Sequence, residues 1–206
     1  AIVRAGGVPV LLPCVPASEI PALLEVCDAI VTTGGDDPRT EAFGVATDPR
    51  TKSIDPRRQL FELDLLAALD DSAHPLLAIC LGMQLLALHA GGRLDQYLPA
   101  TLSTHADHWN GAVHRVEGEI GSADVHSHHR QAVADPGGLR VIGRAPDGVI
   151  EAIATAAGPW RIGVQWHPER TGRDALGDGL FERLVAEARR SNAVDAWSSE
   201  PGRASK

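Results

Sequence analysis

Hydrophobic residues come in short runs, and polar, Gly-rich or Pro-rich stretches separate them. The β-branched run at 29–33 stops at Gly34-Gly35, and the apolar run Leu76–Ile79 stops at Cys80. Such runs, bounded by turn residues, predict buried strands. Apolar positions at helical spacing predict three longer helices, at 57–70, 82–90 and 174–190.

The remaining segments are predicted from weaker patterns. They comprise a helix from Ser18 to Val26, an irregular polar stretch at 36–55, a His-rich stretch without a period at 93–112, and strands at 8–12, 113–117, 139–145, 149–155 and 160–166. Alternating strands and helices predict an α/β fold with a mostly parallel central sheet flanked by helices. The hairpin near 140–155, turning at Pro146-Asp147-Gly148, is expected to form an antiparallel extension at the sheet edge.

Residues 1–190 are predicted to form a single domain, and residues 191–206 to form a disordered tail, because the tail is rich in Ser, Pro, Gly and Lys. The chain opens with Ala1 rather than Met. We therefore expect the native polypeptide to be longer at its amino terminus.

Charge and cysteine content narrow the function classes. The net charge of −8 argues against a nucleic-acid surface, and no apolar run reaches the roughly 18 residues of a membrane span. Three cysteines without a CxxC pair predict neither a disulfide framework nor a zinc motif. A reducing, cytoplasmic location fits this usage best.

Cys80 is the first candidate for chemistry, because it lies between a predicted strand and a predicted helix. Ala78 and Gly82 supply the small residues that a strained nucleophile elbow needs on both sides. The dipole of the following helix is expected to favour the thiolate, and the N–H of Leu81 to face a developing oxyanion. The alternative is an inert buried cysteine at a strand end.

His167 and Glu169 follow the last predicted strand. A histidine here can act as base towards a thiol and as acid towards a leaving amine, while a carboxylate two residues later can orient the imidazole. Gly35, after the strand at 29–33, is a second candidate oxyanion donor. His105, His108 and His114 match no tight ligand spacing, so we predict no metal and no cofactor.

These motifs resemble those of the class I glutamine amidotransferase superfamily. The segments that carry the resemblance are 75–84, PLLAICLGMQ, and 163–169, GVQWHPE. Within the superfamily the chain resembles the γ-glutamyl-γ-aminobutyrate hydrolase family, which is peptidase C26-like. Four further segments favour that branch: TGGDDP at 33–38, DPRRQLFE at 55–62, VHSHHRQ at 125–131 and APDGVIEA at 145–152.

The resemblance implies a flavodoxin-like class I glutamine amidotransferase fold, whose amino-terminal strand is not in this sequence. It implies a triad of Cys80, His167 and Glu169, with oxyanion donors at Gly35 and Leu81. The residues that it places at the substrate are Gln84, Ser127, His128, His129 and Gln131. The chain departs from the family pattern at Gln59, Leu81 and His126, where Asp, Arg and Asn are usual.

The function implied is cysteine-dependent hydrolysis of a small γ-glutamyl amide, which releases glutamate through a thioester. A glutaminase subunit that delivers ammonia to a synthase partner shares the triad and stays open, as does a binding module that has lost its chemistry. The expected partner is a small-molecule substrate, with neither nucleic acid nor membrane, and a homodimer is left open.

Overall fold

The computed structural model describes residues 1–198, with side chains through residue 191. Its strands are β1 Ile30–Thr32, β2 Leu76–Ile79, β3 Arg93–Asp95, β4 Ala112–Gly118, β5 Gly121–Ser127, β6 Ala132–Asp135, β7 Arg140–Arg144, β8 Ile150–Ala154 and β9 Arg161–Val164. Its α-helices are α1 Ile20–Leu24, α2 Pro56–Asp70, α3 Leu81–His89, α4 Leu98–Thr101, α5 Pro168–Thr171 and α6 Asp178–Ser198. Short 3₁₀ turns lie at Ala17–Glu19, Glu41–Phe43 and His105–His108.

The strands form one mixed sheet in the order β1-β2-β9-β8-β7-β4-β5, and β6 joins β3 to β8. The pairs β1–β2 and β2–β9 are parallel, and the other pairs are antiparallel. The predicted α/β class with an antiparallel extension is confirmed. The sheet is mixed rather than mostly parallel as predicted. The antiparallel extension is larger than expected, because the hairpin β7–β8 continues into β4 and β5 rather than ending the sheet.

Strand β2 is fully buried and has a neighbour on each side, as expected of a continuous apolar run. Its side chains alternate between two apolar clusters. Leu76 and Ala78 join the cluster that α2 and α3 cover, whereas Leu77 and Ile79 join the cluster that α6 covers. Helices therefore cover this part of the sheet on both faces.

The predicted strand at 8–12 is wrong, since these residues adopt no regular structure and Val8 and Leu11 are 88% and 95% exposed. In the described chain β1 pairs only with β2, so residues 8–12 do not pair with it. Residues with a strand-like pattern do not form a strand without a hydrogen-bonding neighbour. The helix predicted from Ser18 is a 3₁₀ turn followed by the short α1, and Ser18 does not cap it.

Helix α6 begins four residues later than predicted and runs through Ser198, into the segment predicted as a tail. Residues 199–206 of that segment lie outside the described residues. Strands β3, β5 and β6 were not predicted. In the described part of the chain, no helix combines the length and apolarity needed to cross a membrane.

Candidate active site

Cys80 occupies a strained turn between β2 and α3. Its φ of 52° and ψ of −103° lie outside the usual regions for a side-chain-bearing residue. The Cys80 N–H donates to the Val164 carbonyl at 2.7 Å, so the turn remains tied to β9. This is the strand–nucleophile–helix arrangement that the sequence predicted.

Gly82 allows α3 to approach β1. A Cβ at this position would lie 2.3 Å from Thr32 Oγ1 and 2.7 Å from the Thr32 carbonyl oxygen. Real Cβ atoms do not come this close to backbone, so a side chain here would displace the start of α3. Packing therefore requires a residue without a side chain at position 82, two residues after Cys80.

The His167–Glu169 pair lies at the end of the strand beside β2. Ile79 pairs with Val164 in the parallel register, so Cys80 and the residues after β9 leave the same edge of the sheet. His167 Nδ1 lies 2.7 Å from Glu169 Oε1. An ionised carboxylate only accepts hydrogen bonds, so Nδ1 carries the proton and Nε2 remains available as a base.

Glu169 is suited to this orienting role. Burial by itself would raise the pKa of its carboxyl, but the hydrogen bond from His167 and the charge of Arg170 outweigh burial and hold the pKa below its ordinary value. Glu169 therefore stays ionised at neutral pH and stabilises an imidazolium beside it.

Gly34 lies beside both Cys80 and His167. A Cβ built on Gly34 would lie 2.8 Å from His167 Cε1 and 3.5 Å from Cys80 Cβ. The two side chains therefore flank the same backbone position, and glycine leaves room for both.

Arg58 holds the loop that carries Gly34 and Gly35. Its guanidinium donates to the carbonyls of Thr33 at 2.9 Å and Gly34 at 3.1 Å, and pairs with Glu62 at 2.8 Å. The C=O and N–H of a trans peptide point in opposite directions. The Gly35 N–H therefore points away from Arg58, as an oxyanion donor at this position would require.

The free thiol is not poised as a thiolate. Burial raises the pKa of Cys80 to about 12; a backbone hydrogen bond from Leu81 acts against the rise, and the charges of Glu169 and Asp37 add to it. This opposes the expectation from the helix dipole. To act as a nucleophile, Cys80 would first have to lose its proton to a neighbouring base.

The residues that the resemblance placed at the substrate divide into two groups. Four of them are at most 4% exposed: Gln84, Ser127, His129 and Gln131. His128 is half-buried; its ring stacks on Trp109 at 4.1 Å and its centroid is 6.5 Å from that of His167. His128 therefore lies near His167 and is partly open to solvent, and the other four lie in the interior.

The sequence did not single out Gln165, although it contacts Cys80. Its Nε2 lies 3.6 Å from Cys80 Sγ, and its Oε1 accepts from Gln84 Nε2 at 3.2 Å. Gln84 Nε2 is also 3.4 Å from the Gln131 carbonyl. A signal existed, because Gln165 is a polar residue inside an apolar strand run.

The histidines considered for a metal site separate in the structure. His108 and His114 come together with His129 and Glu151 in a buried cluster, and His105 is not part of that cluster. The spacing along the chain could not reveal this, because the other two members follow far later.

Relatives named for glutamine or γ-glutamyl chemistry match most of the chain. Rv2859c of Mycobacterium tuberculosis, which its name assigns provisionally to the glutamine amidotransferases, is 38% identical over 203 residues. The match covers 91% of this chain but only 65% of that protein, so the chain spans less than two thirds of its length. The γ-glutamyl-γ-aminobutyrate hydrolase PuuD of Escherichia coli K12 is 32% identical over 211 residues, which cover 90% of this chain and 82% of PuuD.

A solved structure shares the fold. It is a crystal structure from Thermoplasma acidophilum, described provisionally as one of the subunits of GMP synthase, with a TM-score of 0.65 and 18% sequence identity. The superposition covers 95% of this chain and 88% of that one. The family model for Peptidase C26 matches residues 1–169, which include both the Cys80 elbow and the His167–Glu169 pair; the chain belongs to the Peptidase C26 family.

Proposed function

We propose that this chain is a cysteine-dependent hydrolase that cleaves the γ-glutamyl amide bond of a small γ-glutamyl amine and releases glutamate. The observation that carries the proposal is that Cys80 and the Glu169-oriented His167 both lie beside the same position, Gly34. The family membership and the names of PuuD and Rv2859c support the same type of bond.

Acylation follows from the free Nε2 of His167. This nitrogen takes the Cys80 proton as Sγ attacks the δ-carbonyl carbon of the substrate, and the N–H groups of Gly35 and Leu81 face the oxyanion. Each such donor typically contributes about 3–4 kcal/mol to the transition state. The imidazolium then gives its proton to the amine nitrogen as the C–N bond breaks, which leaves a glutamyl thioester.

Deacylation uses the same groups in the reverse order. His167 takes a proton from water as the water oxygen attacks the thioester carbon. The C–S bond breaks, glutamate leaves, and the thiol recovers its proton from the imidazolium. Throughout, Glu169 compensates the charge on His167.

Recognition of the glutamyl part is proposed to use the interior amides. Gln131 is fully buried, and in the described structure neither its Oε1 nor its Nε2 has a hydrogen-bond partner. Unpaired buried amide groups are costly, and Gln131 connects through Gln84 and Gln165 to Cys80. A bound ammonium and carboxylate, such as an α-amino acid carries, would satisfy these groups.

The positive charges around His128 favour a leaving group with a carboxylate, as in γ-glutamyl-GABA. Burial lowers the pKa of His128, and the positive charges of His167, Arg170 and Arg130 lower it further. The guanidinium of Arg130 lies 3.9 Å over the Trp109 ring. Asp37 interacts with Arg130 and offsets part of this positive charge.

The test is a panel of three γ-glutamyl amides with leaving amines of similar length: one with a carboxylate, one neutral and one with a second ammonium. Glutamate release is expected from all three in the parent and from none in the Cys80→Ala variant, with kcat/KM highest for the carboxylate. Arg130→Gln should reduce that preference by raising KM for the carboxylate substrate, while the neutral substrate serves as the internal control. Glutamate release by Cys80→Ala at the parent rate would overturn the proposal.

The name of Rv2859c favours one alternative, glutamine hydrolysis for ammonia transfer. Glutamine belongs in the same panel. Turnover of glutamine that exceeds turnover of every γ-glutamyl amine would favour this alternative over the hydrolase.

A further inference from the structure

Three imidazoles and a carboxylate form a buried cluster that the proposed reaction does not use. His108 ends a 3₁₀ turn, His114 lies on β4, His129 lies between β5 and β6, and Glu151 lies on β8. One candidate ligand atom from each lies within 4.8 Å of all the others. The side chains of His108, His129 and Glu151 are at most 1% exposed, and that of His114 is 7% exposed. These four residues are called the His/Glu cluster.

Each imidazole has one nitrogen turned away from the cluster and directed at a group that only accepts hydrogen bonds. His129 Nδ1 lies 2.7 Å from the Gln131 carbonyl oxygen, and His108 Nε2 lies 2.9 Å from Asp147 Oδ2. His114 Nδ1 lies 3.1 Å from the Arg115 carbonyl oxygen. With the protons on the outward nitrogens, each ring in its neutral form turns an unprotonated nitrogen inward.

The three inward nitrogens converge on one carboxylate oxygen. His108 Nδ1, His129 Nε2 and His114 Nε2 lie 3.1, 3.4 and 3.6 Å from Glu151 Oε1. In the described structure, none of these nitrogens and neither Glu151 oxygen makes a hydrogen bond of acceptable geometry. Four electron-pair donors without a shared proton or cation would be costly to bury together.

We propose that the His/Glu cluster binds one divalent transition-metal ion of the Zn²⁺ class. Histidine and carboxylate ligands at about 2.0–2.1 Å from zinc in a tetrahedron are separated by roughly 3.3 Å. The three distances to Glu151 Oε1 bracket that value. The outward hydrogen bonds to a carboxylate and to backbone carbonyls are those that orient metal-bound histidines in proteins.

The site is structural rather than catalytic. Four protein ligands fill a tetrahedral coordination sphere, and the burial of the cluster leaves no open position for a substrate or a reactive water. Its members join a turn, two strands and a loop that are distant in sequence.

The ion would also hold in place the buried amide groups next to Cys80. His129 holds the Gln131 carbonyl, which also faces Gln84 Nε2, and the Gln165 N–H donates to the Glu151 carbonyl at 2.8 Å. Gln165 in turn contacts Cys80. The ion therefore fixes, through its ligands, the amides beneath the nucleophile.

The test starts with the whole chain, purified without a polyhistidine tag, stripped with a chelator and dialysed against Zn²⁺ or Co²⁺. We expect about one ion per chain by elemental analysis, a thermal unfolding midpoint that rises with Zn²⁺, and the visible absorption of tetrahedral Co²⁺. Cys80→Ala should bind equally, which separates the cluster from a thiol–imidazole site. The proposal is overturned if the stripped parent chain binds no stoichiometric ion and shows no shift in its unfolding midpoint.

Substitutions then test which residues bind the ion. His114→Ala and Glu151→Gln should lose zinc affinity by more than the roughly 10–100-fold that loss of an outer partner costs, whereas Asp147→Asn should fall within that range. His105→Ala is the matched control, because His105 lies in the same 3₁₀ turn as His108 but outside the cluster. Parent-like affinity in both ligand variants would overturn the assignment. If a ligand variant does not fold, the Co²⁺ spectrum of the parent chain decides alone, since a surface site would give an octahedral spectrum.

Discussion

At the scale of single residues, the proposed chemistry rests on a thiol that the fold keeps protonated and an imidazole that can take its proton. The sequence indicated both groups from their places after strands. It could not indicate the acidity of Cys80, because this depends on burial and on carboxylates such as Glu169 and Asp37 that only the fold brings near.

The pH dependence of alkylation tests this electrostatic description. The pKa of Cys80 is raised to about 12, so its thiolate fraction should increase about tenfold per pH unit below that value. The rate of iodoacetamide labelling at Cys80, followed by peptide mass spectrometry, should rise from pH 7 to pH 10 without a plateau. Exposed Cys14 should be labelled first. A plateau near neutral pH at Cys80 would instead indicate a preformed thiolate.

Glu169→Gln tests the orienting role of the carboxylate. The amide can donate to His167 Nδ1 and so favours the tautomer that leaves Nε2 protonated. We expect kcat to fall by roughly 10³–10⁴-fold, less than for His167→Ala, with KM little changed. Steady-state kinetics on one γ-glutamyl amide measure both variants, and a greater loss in Glu169→Gln than in His167→Ala would reverse the two roles.

At the scale of elements, strand ends and glycines determine where the groups lie. The parallel register of β2 and β9 brings Cys80 and His167 to one edge, and this could be predicted because both strands are short apolar runs. Strand β5 pairs with its neighbour β4, but its residues, like those of β3 and β6, are small or polar and gave no strand signal. The partners of β3 and β6 are also distant in sequence. For the same reason the His/Glu cluster, which β4, β8 and two connections build, left no local motif.

Gly82→Ala tests the contact between α3 and β1. The added Cβ would fall 2.3 Å from Thr32 Oγ1, so we expect a loss of about 1–3 kcal/mol in the free energy of unfolding and a large drop in kcat. Denaturant titration measures the first quantity. Gly138→Ala is the control, since its Cβ would have no neighbour closer than the Ala90 carbonyl oxygen at 3.8 Å. Equal stability of the two variants would contradict the packing role of Gly82.

At the scale of the whole molecule, the sheet divides into a parallel part and an antiparallel part with different roles. The parallel strands β1, β2 and β9 lead into the loop at Gly34, Cys80 and the His167–Glu169 pair. The antiparallel strands support the residues near His128 and the His/Glu cluster. Sequence patterns predicted the parallel part well, since buried strands there read as apolar runs. Sequence patterns predicted too few strands in the antiparallel part. Polar side chains there are buried in hydrogen-bonded or charged groups, whereas a sequence pattern assigns polar residues to the surface.

Mass spectrometry of the intact, acid-quenched protein during turnover of a γ-glutamyl amide tests the central claim most directly. We predict a mass increase of one glutamyl group, located by peptide mapping on Cys80, absent in Cys80→Ala and retained in a Cys14→Ala, Cys27→Ala double variant. Release of glutamate without any adduct on Cys80, together with unimpaired turnover by Cys80→Ala, would contradict the account.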